Sequence, residues 1–390
     1  MVSTLWLSQV DPSAFSPPGR LDKKVAVAIV GGGLMGVSVA YWLARSGVSV
    51  LLMEAEAISC GSSGRNVGLM LPGVSSIEDP QLSEAIMKEE QIAAGYFAPG
   101  HLALASSVEV WEKIVQEAAT RPKHFPPIFP LDRSSCEDVL KLRIDCGIFG
   151  GRWFPDGRVI HSAQFVYGLC AAAQRRGAVI VSSTKVLQVD KSRRNSEFQI
   201  RTNRGTVCAD HVIYACGGNI VKFIPDFRKV ITEVVAQVLS SLPVRQLFTT
   251  GLAIDWGTFY WRQTPEGNIV LGGGDVRKSY HRSAKDNFVA AGAQRVLEKL
   301  LASVFHDLPP IDVALRWSGI MDCTPDNKPI VGPVPDRPGE WVIGGFGGHG
   351  MPLGVNVGKA VADAIVSERW PEIPDSFNPS RFSGSLGRHN

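Results

Sequence analysis

Along the chain, short apolar runs of strand length alternate with glycine turns and with stretches of helical periodicity. Val25–Ala44 (VAVAIVGGGLMGVSVAYWLA) runs twenty residues without a charge. About 20 apolar residues span a bilayer, so length alone allows a membrane helix. Gly31, Gly32 and Gly33 argue against it, since each glycine in a helix costs about 1 kcal/mol relative to alanine. The pattern divides the stretch instead. Val25–Val30 reads as a strand buried on both faces. Gly31-Gly32-Gly33-Leu34-Met35-Gly36 holds G-x-G-x-x-G at Gly31, Gly33 and Gly36. Val37, Ala40, Tyr41 and Ala44 then recur at helical spacing, Gly47 follows as a C′ residue, and Val48–Met53 reads as a second buried strand ending at Glu54.

Each part has a physical task. The first glycine permits the sharp turn, the second lets backbone approach a pyrophosphate, and the third lets helix and strand pack. The helix start offers unpaired N–H groups and partial positive charge. An acidic residue about 20 positions on accepts from ribose hydroxyls; Glu54 occupies that place and favours an unphosphorylated ribose. The unit therefore holds a dinucleotide, with NAD and FAD both open. The small-residue loop Ser59–Leu69 either lies against the rest of a long cofactor or is a flexible connection.

Further along, Gln164–Gly177 reads as an amphipathic helix followed by a strand at Ala178–Ser182, and Phe259–Gly273 as a hairpin turned at Pro265-Glu266-Gly267. Val342–Ile343 reads as a strand, Gly344–Gly350 as a turn where backbone approaches something flat, and Leu353–Val366 as a helix whose N-terminal dipole points back at that turn. No internal repeat is visible.

Composition narrows the class. With 390 residues, 45% hydrophobic and 20% charged, the chain reads as a soluble globular protein with a sizeable core. A net charge of +3 and the absence of a dense basic run leave no nucleic-acid argument; the run Lys191–Asn195 reads as a solvated hairpin loop. Seven cysteines, an odd number without CxxC, fit a reducing compartment and a cytoplasmic setting. The eight histidines show no metal-binding spacing, so no metal is expected. The start has no signal-peptide pattern and reads as a loose tail over 1–22.

Three blocks carry a resemblance. They are GGGLMG…LLMEAE…GSSGRNVGLM, the strand Val212–Ala215 closing on Gly217-Gly218, and Arg316–Pro335 followed by Trp341–Val366, with T-P-D and G-G-F-G-G-H-G before a helix. Together they resemble the FAD-dependent D-amino-acid oxidase superfamily, which includes glycine, sarcosine and γ-glutamylputrescine oxidases, over about residues 23–382. The resemblance implies an α/β fold: a Rossmann-like FAD-binding domain interleaved with an α+β substrate domain containing a large mixed sheet. The FAD-binding domain would take 23–75, 156–230 and 320–370, the substrate domain 76–155 and 231–319, with a C-terminal tail at 371–390. A helix start beside a flat glycine turn also suits a reduced flavin, whose ring carries negative charge. FAD is therefore expected over NAD.

The resemblance implies cofactor contacts from Gly31, Gly33, Leu34, Met35 and Gly36, from Glu54 and Ala55 at the ribose, and from Ser62, Ser63, Arg65, Asn66, Gly68 and Leu69 in the small-residue loop. Val186, Ala215 and Gly217 contribute from the middle of the chain; Gly345, Gly347, Gly348, His349, Gly350 and Met351 contribute from the closing block. Sarcosine-oxidase-like members attach FAD through a cysteine at the position of Gly319, and Cys323 stands in a different register, so noncovalent FAD is expected.

The implied reaction is oxidation of the C–N bond of a small amine or amino acid. Hydride leaves the α-carbon for the flavin, the imine hydrolyses, and oxygen is reduced to hydrogen peroxide. His349 in G-G-H-G and Tyr260 are candidate catalytic residues, with a core histidine satisfied by backbone as the alternative for His349; Tyr260, Trp261 and Trp317 are candidates to wall the pocket, with plain core aromatics as the alternative. Arg277 or Lys278 stands where oxygen-activating members carry a lysine. The arginine that grips a substrate carboxylate in the glycine-oxidase pattern falls at Met321, so that ligand is absent; Arg65, Arg262, Arg277 and Arg316 are the cations that could replace it. Two alternatives stand beside this reading: a dehydrogenase of the same fold passing electrons to a quinone or partner protein, and a non-catalytic FAD-binding subunit or assembly protein. Oligomeric state is left open.

Overall fold

The computed structural model describes residues 3–15, 21, 23–71, 75, 77–123, 125–192, 197–274, 288–306, 308, 310–370 and 372–383. Two eight-stranded sheets organise them. In the first, the path runs Ile330–Pro333, Glu340–Gly344, Gly205–Tyr214, Lys23–Val30, Val50–Met53, Val179–Val181, and the hairpin Val186–Lys191 with Phe198–Thr202 pairs onto Gly205–Tyr214. Lys23–Val30 is central and parallel to both neighbours, with Val27 opposite His211 on one side and Val50 on the other. Val27, Ala28 and Ile29 have no exposed surface, which explains the unbroken apolar run: helices or loops cover both faces of a parallel sheet.

The stretch Val25–Ala44 thus divides into strand, glycine turn and the helix Leu34–Arg45. No helix among the described residues is long and apolar enough to cross a membrane. Helix Leu34–Arg45 packs on the last long helix, Gly350–Ser367. Gly354 and Gly358, four residues apart on one face, permit this approach: a Cβ at either would lie 2.5 Å from Leu34 Cδ2 or 2.1 Å from Ser38 Oγ. The two helix starts consequently meet, with Met35 Cε 3.5 Å from where a Gly350 Cβ would be.

The second sheet runs Val313–Cys323, Thr232–Ser241, Ile269–Gly273, Phe259–Gln263, Gly251–Ile254, His101–Ala105, Gly150–Phe154, Phe129–Asp132. It is mixed, because Gly251–Ile254 pairs parallel to His101–Ala105 while the other pairs are antiparallel. Helix Ala291–Val304 covers one face, above a core that contains Leu271, Trp261, Leu297 and Phe305. On the opposite face Val238, Val270 and Trp317 pack with Val67 and with Leu5 and Trp6. The architecture is a Rossmann-like α/β unit interleaved along the chain with an α+β unit built on a large mixed sheet.

Several boundaries differ from the sequence reading. The last helix begins at Gly350, a turn before Leu353, because the glycine turn itself bends into it. Strand Val313–Cys323 stays in the second sheet to its end, with Thr232 opposite Cys323, so that sheet passes the expected boundary at 320. The start of the chain is no loose tail: Thr4, Leu5, Trp6 and Phe15 are buried, since this short segment carries enough apolar surface to pay for its own ordering. The C-terminal segment also packs back, with Phe377 buried and Arg381 Nε donating to Asp326 Oδ2 at 2.8 Å. Of the run Lys191–Asn195, residues 193–195 lie outside the described residues.

Candidate active site

Three adjacent parallel strands, Glu340–Gly344, Gly205–Tyr214 and Lys23–Val30, end at the same edge of the first sheet, and each runs into a glycine turn. This is the crevice at the carboxyl ends of the strands where open α/β sheets bind ligands. Gly31 has φ +116°, and a Cβ there would lie 2.4 Å from the Ala215 carbonyl oxygen. Its N–H donates to Met53 O at 2.9 Å, and Ala215 N–H donates to Val30 O at 2.9 Å. The turn is therefore fixed from both neighbouring strands.

Beside it, Glu54 leaves the second strand and accepts the N–H of Gly32 through Oε2 at 2.7 Å and that of Glu56 through Oε1 at 2.9 Å. Its side chain is only half-buried, yet loss of solvation raises its pKa above the usual carboxylate range despite these backbone hydrogen bonds. Ala55 next to it is exposed. Val186 is buried in the core that also holds Val30 and Met53.

The small-residue loop is a formed structure, with a 3-10 turn at Ser62–Gly64. Ser63 Oγ accepts the Leu34 N–H at 2.9 Å at the start of the first helix. Ser62 Oγ donates to the Ile320 carbonyl. Asn66 Nδ2 donates to the Ser63 carbonyl at 2.9 Å, and its Oδ1 accepts the Gly68 N–H at 2.8 Å. Leu69 then pairs with Val159 in a two-stranded ribbon.

On the other side of the cleft, residues of strand Val313–Cys323 two apart share a face. Trp317 is fully buried and donates through Nε1 to the Arg65 carbonyl at 2.9 Å. A Cβ at Gly319 would lie 3.3 Å from Arg65 Cβ, and Met321 Sδ lies 3.1 Å from where a Gly348 Cβ would stand. The face that begins at Trp317 thus runs along the small-residue loop and ends at the second glycine turn.

That turn, Gly344–Gly350, is anchored by Asp322. Its Oδ2 accepts the Gly345 N–H at 2.6 Å, and its carbonyl accepts the Gly347 N–H at 2.8 Å. Burial raises the Asp322 pKa, with Glu233 adding to the effect. Gly347, at φ +54°, has open space where a Cβ would point. Gly217, at φ +58°, faces the Asp322 carboxylate from the neighbouring strand end. Met351 is buried in the first turn of the helix, while His349 is its exposed N-cap residue. Desolvation holds the His349 pKa below the ordinary histidine value, partly offset by hydrogen bonds to the backbone of Gly347 and Phe346. The lowered pKa favours the neutral imidazole at His349.

The strand alternation sorts the aromatic candidates. Trp261 points to the far face and packs in the core with Phe305, ring centroids 6.0 Å apart, so it walls no pocket. Tyr260 points to the near face, beside Val238, Val270 and Trp317. Burial pushes its phenol up to about 12, so it remains a neutral group.

The candidate cations are largely committed. Arg262 Nη1 donates to the carbonyls of Gly68 at 3.1 Å and Ile160 at 2.9 Å. Burial lowers its pKa to about 10. Arg65 donates to the carbonyls of Cys60 at 2.8 Å and Ser318 at 3.2 Å. Arg316 pairs with Glu298 at 2.7 Å beside helix Ala291–Val304, on the far face. Arg277 and Lys278 lie outside the described residues. Among the described residues no cluster of His, Cys, Asp and Glu could hold a metal ion.

Sequence reasoning missed Asp322 and the segment at Thr4–Gln9. An acidic residue between Met321 and Cys323, within an apolar strand, was the available signal for the first.

The residues present suit a dinucleotide. Gly31 makes the sharp turn at φ +116° close against the Ala215 backbone, neither helix start has a side-chain cap from its N-cap residue or an acid in its first turn, and Glu54 stands at the end of the second strand. Comparisons with known proteins agree. The chain is 28% identical over 403 residues to a probable oxidoreductase OrdL of Rhizobium meliloti (strain 1021), covering 94% of this chain and 90% of that protein. It is 24% identical to the mitochondrial dimethylglycine dehydrogenase of Mus musculus, over 97% of this chain but 46% of that protein, so it spans about half the length of that relative. The crystal structure of glycine oxidase from Geobacillus kaustophilus superposes with a TM-score of 0.80 at 21% identity, covering 94% of this chain and 99% of that one. The family described as DAO, FAD dependent oxidoreductase, matches residues 26–364, and the chain belongs to it.

Proposed function

We propose that the protein oxidises the C–N bond of a small amine or amino acid, with noncovalently held FAD and with oxygen as acceptor, in the cytoplasmic setting that its cysteine usage points to. The observation that carries this reading is the cleft itself. Three glycine turns lie at the ends of three neighbouring strands, and the second sheet meets one of them where Met321 Sδ comes within 3.1 Å of a Cβ position at Gly348, beside His349. When bound, FAD supplies the acceptor for a hydride from the substrate α-carbon. Support for amine chemistry comes from relatives named as dimethylglycine dehydrogenase and glycine oxidase.

The chain's own residues bind, orient and exclude water. The starts of helices Leu34–Arg45 and Gly350–Ser367 direct partial positive charge into the cleft, where it favours anionic phosphate and a ring gaining negative charge. Glu54 offers acceptors to ribose hydroxyls. Neutral His349 can accept a hydrogen bond from an amine N–H, which favours the uncharged amine from which hydride leaves. Tyr260 closes the opposite wall with a neutral phenol. Gly319 presents no thiol where sarcosine-oxidase-like members have their cysteine, which supports noncovalent attachment. Apolar Met321 beside Gly348 favours a substrate with no carboxylate at that point, Arg277 being the cation that could serve otherwise.

The test is turnover in air with a panel of glycine, sarcosine, D- and L-amino acids and polyamines, following hydrogen peroxide. Peroxide with one class names the substrate and supports oxygen as acceptor. Turnover with an artificial electron acceptor but no peroxide shows a dehydrogenase instead. Reduction by no amine with either acceptor contradicts the proposal.

A further inference from the structure

The segment Thr4–Gln9 packs against the small-residue loop Gly61–Gly68. Three consecutive loop carbonyls are each taken by a side chain from a distant part of the chain. Thr4 Oγ1 donates to Gly64 O at 2.9 Å, Trp317 Nε1 to Arg65 O at 2.9 Å, and Trp6 Nε1 to Asn66 O at 2.6 Å. Trp317 belongs to the second sheet; Thr4 and Trp6 come from the start of the chain.

The contacts of Trp6 reach further. Its ring is 2% exposed and packs with Leu5, Val67, Ala163, Val238, Val270 and Trp317. The Arg262 guanidinium lies over it at 5.5 Å, and the same guanidinium donates to the Gly68 carbonyl at the loop's exit. His161 meets its edge with ring centroids 4.9 Å apart, and the His161 ring is in turn hydrogen-bonded to Gln9 at 2.7 Å. Leu7 fills the space at Gly64, where a Cβ would lie 2.8 Å from Leu7 Cδ2. Trp6 therefore contacts the loop, the start of helix Ser162–Arg175 and the near face of the second sheet at once.

A loop of small residues has much conformational freedom to lose, and the side chains of Ser62, Ser63, Arg65 and Asn66 that anchor it leave the carbonyls of Gly64, Arg65 and Asn66 to partners from elsewhere in the chain. We propose that Thr4–Gln9 is a clasp that preorganises the loop Gly61–Gly68 for FAD, with Trp6 as its positioning residue. This inference rests on the reading that the loop lies against FAD. A clasp of this kind pays the ordering cost before the cofactor arrives, which strengthens binding without touching the ligand.

The test is FAD titration into the full-length apoprotein, followed by flavin fluorescence and the visible spectrum. Trp6→Ala is expected to weaken FAD binding about ten-fold and to change the flavin spectrum toward that of a solvent-exposed ring. Trp6→Phe keeps the ring and loses the bond to Asn66, and Thr4→Val loses the bond to Gly64; both are expected to fall between. Leu140→Ala, in the core on the far face of the second sheet, lowers the melting temperature without weakening FAD. The inference is overturned if Trp6→Ala binds FAD as the wild type does, or if Leu140→Ala weakens FAD as much as Trp6→Ala. Wild-type protein that binds no FAD would overturn the underlying reading of the loop as well.

Discussion

The carboxylate of Glu54 is bonded to the backbone of the first glycine turn, its Oε2 accepting the Gly32 N–H at 2.7 Å. The acid at the end of the second strand thus orients the turn and faces the cleft with the same group. Hydrogen bonds to charged groups contribute about 1.5–3 kcal/mol. Glu54→Gln is expected to weaken FAD binding about ten-fold or more while leaving the far-ultraviolet circular dichroism unchanged. Unchanged FAD affinity would remove Glu54 from the cofactor site.

Asp322 holds the second turn at a cost. Its folded-state pKa is raised by burial, so the folded protein resists its ionisation. The destabilisation is absent below the ordinary aspartate value, grows as pH rises above it, and is complete once pH has passed the raised folded-state value. Asp322→Asn keeps an acceptor for the Gly345 N–H and removes the buried charge. The apoprotein variant is expected to melt higher than wild type near neutral pH, with the difference shrinking on acidification. A lower melting temperature at neutral pH would show that the charge itself supports the turn.

Two glycines with left-handed backbone separate conformational strain from crowding. Gly47, at φ +76°, has nothing within 4 Å of a Cβ position, whereas at Gly31 a Cβ would meet the Ala215 carbonyl at 2.4 Å. Gly47→Ala is expected to cost about 1–2 kcal/mol, the left-handed penalty alone. Gly31→Ala adds a backbone collision and is expected to cost more and to abolish FAD binding. Thermal melts of the two variants check this; equal losses would mean that the turn can yield.

His101 is fully buried, both ring nitrogens lack a partner, and desolvation lowers its pKa to about 3. The unfolded state takes up a proton first, so stability present above the ordinary histidine pKa is lost as pH falls toward the folded value. This amounts to about 2 kcal/mol between roughly pH 6.5 and 4.5. His161, lowered to about 4, acts in the same direction. His101→Leu is expected to show a shallower loss of stability in denaturant melts across this range. An identical slope would place the acid sensitivity elsewhere.

The strand–turn–helix unit proposed for the cofactor is legible in the sequence because its signals are local. Strand, glycine turn, helix and Glu54 fall within 32 residues, Lys23 to Glu54, and each element follows from its own spacing. The substrate side was less so. Trp261 and Tyr260 are neighbours, and which one faces the cleft depends on which face of the strand helix Ala291–Val304 covers. Arg65, Arg262 and Arg316 are plausible anion ligands by residue type, yet their partners are carbonyls and a glutamate brought in by the fold, such as Ser318 at a separation of 253 residues from Arg65. Trp6 and Asn66 stand 60 residues apart, and no periodicity links them.

The most direct test of the account is the absorbance spectrum of the purified protein, reconstituted with FAD if needed, before and after anaerobic addition of the amine panel. The account expects flavin bands near about 370 and 450 nm, bleached by one class of amine. A protein that takes up no FAD, or a flavin that no amine bleaches, would contradict it.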